Sequence, residues 1–146
     1  MGLMESGLVD MTGMSEAASR GRVLLQEREP SLRRVLQLSL GKAGFDITPV
    51  EDVPGARKHL ESEYDAIILE YYPQTACGPF IEQVREASEP TQSPAVLVTT
   101  TFRPGDEWRR TYKPDILLYK PFDIRYLEKK LLEVLHERTE NEKAIR

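Results

Sequence analysis

The chain has 146 residues, 40% of them hydrophobic and 30% charged, enough for one domain with its own core. A net charge of −4 speaks against a broad nucleic-acid footprint, and no apolar run is long enough to span a bilayer. One cysteine, Cys77, excludes an internal disulfide and suits a reducing cytosol; two histidines in separate segments, His59 and His136, argue against a zinc site.

Residues 1–20 carry no sustained period and are read as a disordered leader. A first apolar run, Val23-Leu24-Leu25, stops at Gln26-Glu27-Arg28. Pro30 and Gly44 then frame a helix with Leu32, Val35, Leu36, Leu40 and Ala43 on its apolar face. Phe45 to Val50 alternates and contains Pro49, the mark of an edge strand. Val53 to Ser62 is predicted to be helical. Ala66-Ile67-Ile68-Leu69 stops at Glu70, and a short helix follows from Pro79 to Ala87. Ala95-Val96-Leu97-Val98 stops at Thr99, and a weak helix spans Asp106 to Tyr112. Ile116-Leu117-Leu118 stops at Tyr119-Lys120, and Asp123 is placed to cap a last helix with Ile124, Leu127, Leu131, Val134 and Leu135 inward. The domain is expected to span residues 21–138, with 139–146 a polar tail.

Continuous apolar runs this short read as strands buried on both faces, hence a parallel sheet. Five β–α units with an edge-type second strand predict an α/β fold. Its sheet would be doubly wound, five-stranded and parallel, in the order 2-1-3-4-5, with helices on both faces. Such sheets bind ligands outside the carboxyl ends of their strands. Glu27, Arg28, Glu70, Thr99 and Lys120 are therefore expected in one pocket, while Asp46, Asp65 and Asp115 start strands at the opposite end.

From Arg22 to about Leu135 the chain resembles the receiver domain of bacterial response regulators, the CheY-like, flavodoxin-like fold. Glu27-Arg28-Glu29-Pro30-Ser31-Leu32-Arg33 stands where such domains read Asp-Asp-Glu-Pro-Ser-Leu-Arg. Tyr64-Asp65-Ala66-Ile67-Ile68-Leu69-Glu70 stands where they read Tyr-Asp-Leu-Val-Leu-Leu-Asp. Gly78 matches their loop glycine, and Pro94 to Thr99 and Leu118-Tyr119-Lys120-Pro121 match as well. The resemblance implies a phosphoryl pocket in which an acidic pair and an acceptor aspartate hold magnesium, while a lysine and a hydroxyl bind the phosphoryl oxygens.

This chain departs from that pattern at both acidic positions. Arg28 replaces one member of the pair and cannot ligate a metal, and Glu70 is one methylene longer than the acceptor. Arg28 is expected to lend a fixed positive charge between Glu27 and Glu70 in place of the ion, so neither metal nor cofactor is implied. Leu117 occupies the switch position, where family members often carry Tyr or Phe.

The reading is thus an atypical or pseudo-receiver in two-component or phosphorelay-type signalling. It would be cytoplasmic and non-enzymatic, and would act independently of phosphorylation. Protein partners in trans are expected, a histidine kinase or an output protein, or a second copy in a homodimer. The resemblance places recognition on the fourth helix, fifth strand and last helix, where Trp108, Arg109, Tyr119, Arg125, Tyr126 and Lys129 lie. Two alternatives stand beside it. One is a phosphorylatable receiver with impaired chemistry. The other is a small nucleotide- or flavin-binding flavodoxin-like protein, which would need a phosphate-cradling loop that Glu27-Arg28-Glu29-Pro30 does not offer.

Overall fold

Strand and helix alternate from Gly21 to Ile145. The structure, a computed structural model, describes residues 19–73, 75–89 and 92–145. Of the expected leader, residues 1–18 lie outside these. The elements are β1 (Gly21–Gln26), α1 (Pro30–Lys42), β2 (Phe45–Val50), α2 (Val53–Arg57), β3 (Ala66–Tyr71), α3 (Cys77–Ala87), β4 (Ala95–Thr100), α4 (Asp106–Tyr112), β5 (Ile116–Tyr119) and α5 (Ile124–Ile145). The sheet runs β2-β1-β3-β4-β5, and every neighbouring pair is parallel, as the run pattern predicts.

The two-residue period of a strand divides the core in two. Val23, Leu25, Ile68 and Leu97 face α1 and α5, packing on Leu36, Leu40, Leu127 and Leu131. Leu24, Ile67, Leu69 and Val98 face the other way, onto Ala56, Phe80 and Ile81 of α2 and α3, with Trp108 and Tyr112 of α4 at the margin. Glu70 and Thr99 continue the first set and Tyr71 the second, so consecutive residues at the end of β3 serve opposite faces.

Local chemistry sets the helix ends. Glu29 caps α1, its carboxylate accepting from the Leu32 and Ser31 N–H groups at 2.7 and 3.2 Å. Those two bonds hold its carboxyl below the ordinary 4.5. Gly44 follows α1 with φ 106°, a conformation only glycine takes cheaply. Arg125 N–H donates to the Asp123 carboxylate at 2.8 Å, the expected cap of α5.

Three local expectations are corrected. Val35, expected inward, is 44% exposed, as is its neighbour Leu38 at 52%; the buried stripe of α1 is narrower than the apolar residues suggest. The α2 helix stops at Arg57, because Pro54 and Gly55 leave it little propensity. The chain continues to Ser62 through i→i−3 bonds from Lys58, His59, Leu60 and Ser62. Gly78 sits in the first turn of α3 rather than in a loop. The α5 helix continues to Ile145 through the polar segment after residue 138, where Glu, Lys and Ala favour helix.

Candidate functional site

The carboxyl ends of β1, β3 and β5 bring three charged side chains together. Lys120, just past β5, places its Nζ 2.8 Å from Glu27 Oε1 and 2.8 Å from Glu70 Oε2. Glu27 is 1% exposed and Glu70 5%. The remaining oxygens are also occupied: Glu27 Oε2 accepts from the Glu29 N–H at 3.0 Å, and Glu70 Oε1 from the Arg28 N–H at 3.1 Å. All four carboxylate oxygens are therefore hydrogen-bonded within the domain. Burial alone would depress the Lys120 ammonium, but its hydrogen bonds to Glu27 and Glu70 and their charges outweigh that and raise it above the ordinary 10.5.

The structure brings Glu27, Glu70, Thr99 and Lys120 to one crevice. Thr99 is buried and lies in register beside Glu70 on β4. Arg28 departs from expectation. Its backbone N–H serves Glu70, but its guanidinium leaves the crevice and stacks on the Tyr72 ring, 3.8 Å from the centroid. The physical reason lies in the partners available: Lys120 already fills the space between the carboxylates, and a planar guanidinium gains more on an aromatic face. Tyr72 in turn packs on Phe102 at 5.2 Å, so residues from three loops meet above the crevice.

Two residues of the site escape the sequence reading. Gln26, buried at the end of β1, accepts from the Glu70 N–H at 3.0 Å and donates to the Glu51 carbonyl at 3.0 Å. It locks β1, β3 and the β2–α2 loop together. A polar residue closing an apolar run was the available signal. Thr100, fully buried, hydrogen-bonds the Tyr71 carbonyl at 3.3 Å and both the carbonyl and N–H of Phe102. The Thr99-Thr100-Thr101 run could not say which hydroxyl turned inward.

Around the crevice, Leu117 is half-buried among the α2–α4 core residues. Trp108 packs edge-on against Tyr71 at 4.8 Å and lies 5.2 Å from Tyr112, so it belongs to the rim of the core more than to an open face. Tyr119 and Tyr126, by contrast, are 42% and 46% exposed, and Arg109, Arg125 and Lys129 are exposed as well. Cys77 is buried, and burial, with the Glu70 charge second, pushes its thiol up to about 12.

At the far end of the sheet, Asp65 accepts from the Arg22 N–H and Asp115 from the Val96 N–H, both at 2.7 Å. A cavity of about 920 Å³ opens there, lined by Arg22, His59, Tyr64, Asp65 and others. Those four side chains already interact among themselves or with the backbone, and charges of both signs line it. The converging chemistry lies at the carboxyl ends. Among the described residues, no three His, Cys, Asp or Glu side chains are grouped to hold a metal ion. No helix among them is long and apolar enough to cross a membrane.

No family model matches the chain, and no curated protein does. Solved structures do. A CheY-like response regulator receiver domain from Methanospirillum hungatei superposes with TM-score 0.72 at 15% identity, covering 82% of this chain and 97% of its own. A chemotaxis protein of Vibrio cholerae gives TM-score 0.66 at 25% identity, with 77% and 97% covered. A streptococcal protein described as a redox sensor evolved from two-component response regulators gives TM-score 0.72 at 21% identity, with 84% of this chain and 54% of that one covered. Sheet order, helix placement and these neighbours together establish that this chain has the flavodoxin-like fold of CheY-like receiver domains.

Proposed function

We propose that this chain is an atypical receiver module: a cytoplasmic, non-enzymatic signalling domain whose crevice works without magnesium or phosphorylation and which acts by contact with protein partners. The observation that carries the reading is the Lys120 ammonium, 2.8 Å from a carboxylate oxygen of both Glu27 and Glu70. Phosphoryl transfer to a carboxylate needs a free, positioned oxygen and a cation to offset the charge that develops. Here the extra methylene of Glu70 places its carboxylate on Lys120, and all four oxygens of the pair already accept hydrogen bonds. Magnesium seeks near-octahedral oxygen ligands. Two carboxylates pinned to one ammonium, with the second acidic position turned into an outward arginine, do not fit it.

The module would therefore hold one charge arrangement constantly. Incubation with acetyl phosphate followed by intact mass spectrometry is expected to leave the mass unchanged. A hydroxylamine-sensitive gain of one phosphoryl group would establish the alternative, a phosphorylatable receiver with impaired chemistry. Calorimetry is expected to show no magnesium binding at millimolar concentration in the wild type, and measurable binding in Arg28→Asp/Glu70→Asp.

Partner contact is proposed on α4, β5 and α5. Tyr119 and Tyr126 are large aromatics left exposed there, and Arg109, Arg125 and Lys129 on α4 and α5 are exposed too; aromatics and arginines are the residue types that anchor interfaces. A histidine kinase, an output protein or a second copy could meet this face. Redox sensing through a thiol has no support here, since the one thiol, Cys77, is buried and hard to ionise.

A further inference from the structure

We infer that the crevice is coupled to α4 through Tyr71 and Trp108, bypassing position 117, so that its fixed charge arrangement sets the position of α4 and a substitution that disturbs that arrangement is felt there. This inference rests on the reading of the crevice as a signalling site, and it assigns the route by which that site reaches the proposed partner face. Glu70 and Tyr71 are consecutive on β3, so a displacement of the Glu70 backbone carries Tyr71 with it while their side chains serve opposite faces. Glu70 is held from three directions, by Lys120, by the Arg28 N–H and by Gln26, so its position reports the charge balance of the crevice.

On the other face, Tyr71 is tied to the α4 region twice. Its ring meets Trp108 edge-on at 4.8 Å, and its carbonyl accepts from the buried Thr100 hydroxyl, which also bonds Phe102. Trp108 continues to Tyr112 at 5.2 Å. Tyr112 lies against the backbone of Gly78, and Arg85 donates to the Tyr112 and Lys113 carbonyls. Every step is a packed or hydrogen-bonded contact, as physical coupling requires. Leu117 has neither a ring nor a polar group with which to do the same.

Trp108 is the single tryptophan, so one indole N–H resonance reports this route. The test is a mutant cycle read by that resonance in ¹⁵N-labelled protein. Lys120→Met, which leaves Glu27 and Glu70 facing each other unneutralised, is expected to shift the indole resonance in the otherwise native chain. The same substitution made on Tyr71→Leu is expected to produce no further shift, whereas on Leu117→Val the shift is retained. Glu70→Gln, which keeps the side chain's shape, replaces Lys120→Met in the cycle if that variant does not fold. An indole that never responds, or a response that survives Tyr71→Leu, overturns the inference. The acetyl phosphate experiment is independent: a gain of mass there would defeat the phosphorylation-independent reading and leave this cycle intact.

Discussion

Lys120 faces two buried carboxylates, and that decides what its loss would do. Ion pairs at exposed positions contribute about 0–1 kcal/mol; Arg22 and Asp46, 3.9 Å apart and both well exposed, belong there. Removing one partner of a buried pair costs about 3–5 kcal/mol, because the other charge is left uncompensated. Lys120 keeps 16% of its side chain accessible, so Lys120→Ala is expected to lose about 2–3 kcal/mol at neutral pH, measured by urea unfolding. Adding Glu27→Gln and Glu70→Gln should recover most of it. The raised Lys120 pKa sets the pH window. Its contribution is fully present below the unfolded value near 10.5 and is lost as pH rises through the higher folded value. Urea midpoints of the wild type should therefore drop faster above about pH 10 than those of Lys120→Met. Cys77 should resist thiol reagents in the folded chain and react at once in denaturant, which a labelling time course would show. The sequence suggested which residues meet in the crevice, but not the direction of Arg28. A side chain at a loop position can turn either way, and only the fold reveals that Tyr72 lies within reach.

Among the elements, α3 and α4 meet where glycine is needed for space. A Cβ on Gly78 would fall 2.6 Å from Tyr112 Cζ, closer than atoms approach. Helix propensity favours Ala over Gly by about 1 kcal/mol, while forcing a side chain into a packed contact costs about 1–3 kcal/mol. The steric cost outweighs the propensity gain at so close an approach, so Gly78→Ala should destabilise the domain by up to about 2 kcal/mol and be harmless or favourable in a Tyr112→Ala background. Thermal unfolding of the four proteins of that cycle checks it. Position 78 stood out in the sequence as a glycine in a familiar place, but its reason, the ring of a residue 34 positions later, could not be read there. The α1 helix shows the converse limit. Its length and its ends at Pro30 and Gly44 were legible, though its Glu29 cap was not, and Val35 and Leu38 are turned to solvent.

At the scale of the molecule, sheet order and layering were legible because four strands are short continuous apolar runs and one alternates and carries a proline, a contrast that residue order records, although β5 is a margin of the sheet and only Leu118 of its four residues is buried. The convergence of β1, β3 and β5 followed from that order. The bridging of two carboxylates by one ammonium did not, since it depends on distances that no spacing encodes. The exposed Tyr119 and Tyr126 predict self-association through the α4–β5–α5 side. Light scattering should detect a species above monomer mass at high micromolar concentration, reduced in Tyr119→Ala/Tyr126→Ala. Pro49 bears on which associations remain open. Glu27 and Arg20 donate to the carbonyls of Val50 and Gly44, so the even-numbered residues of β2 face β1 and Pro49 turns its ring nitrogen to the open margin of the sheet. A newcomer strand would find no donor there. The opposite margin offers only the four residues of β5. The molecule is thus guarded against growing strand upon strand into fibrils, and any multimer it forms is steered toward side-chain contacts that can come apart again.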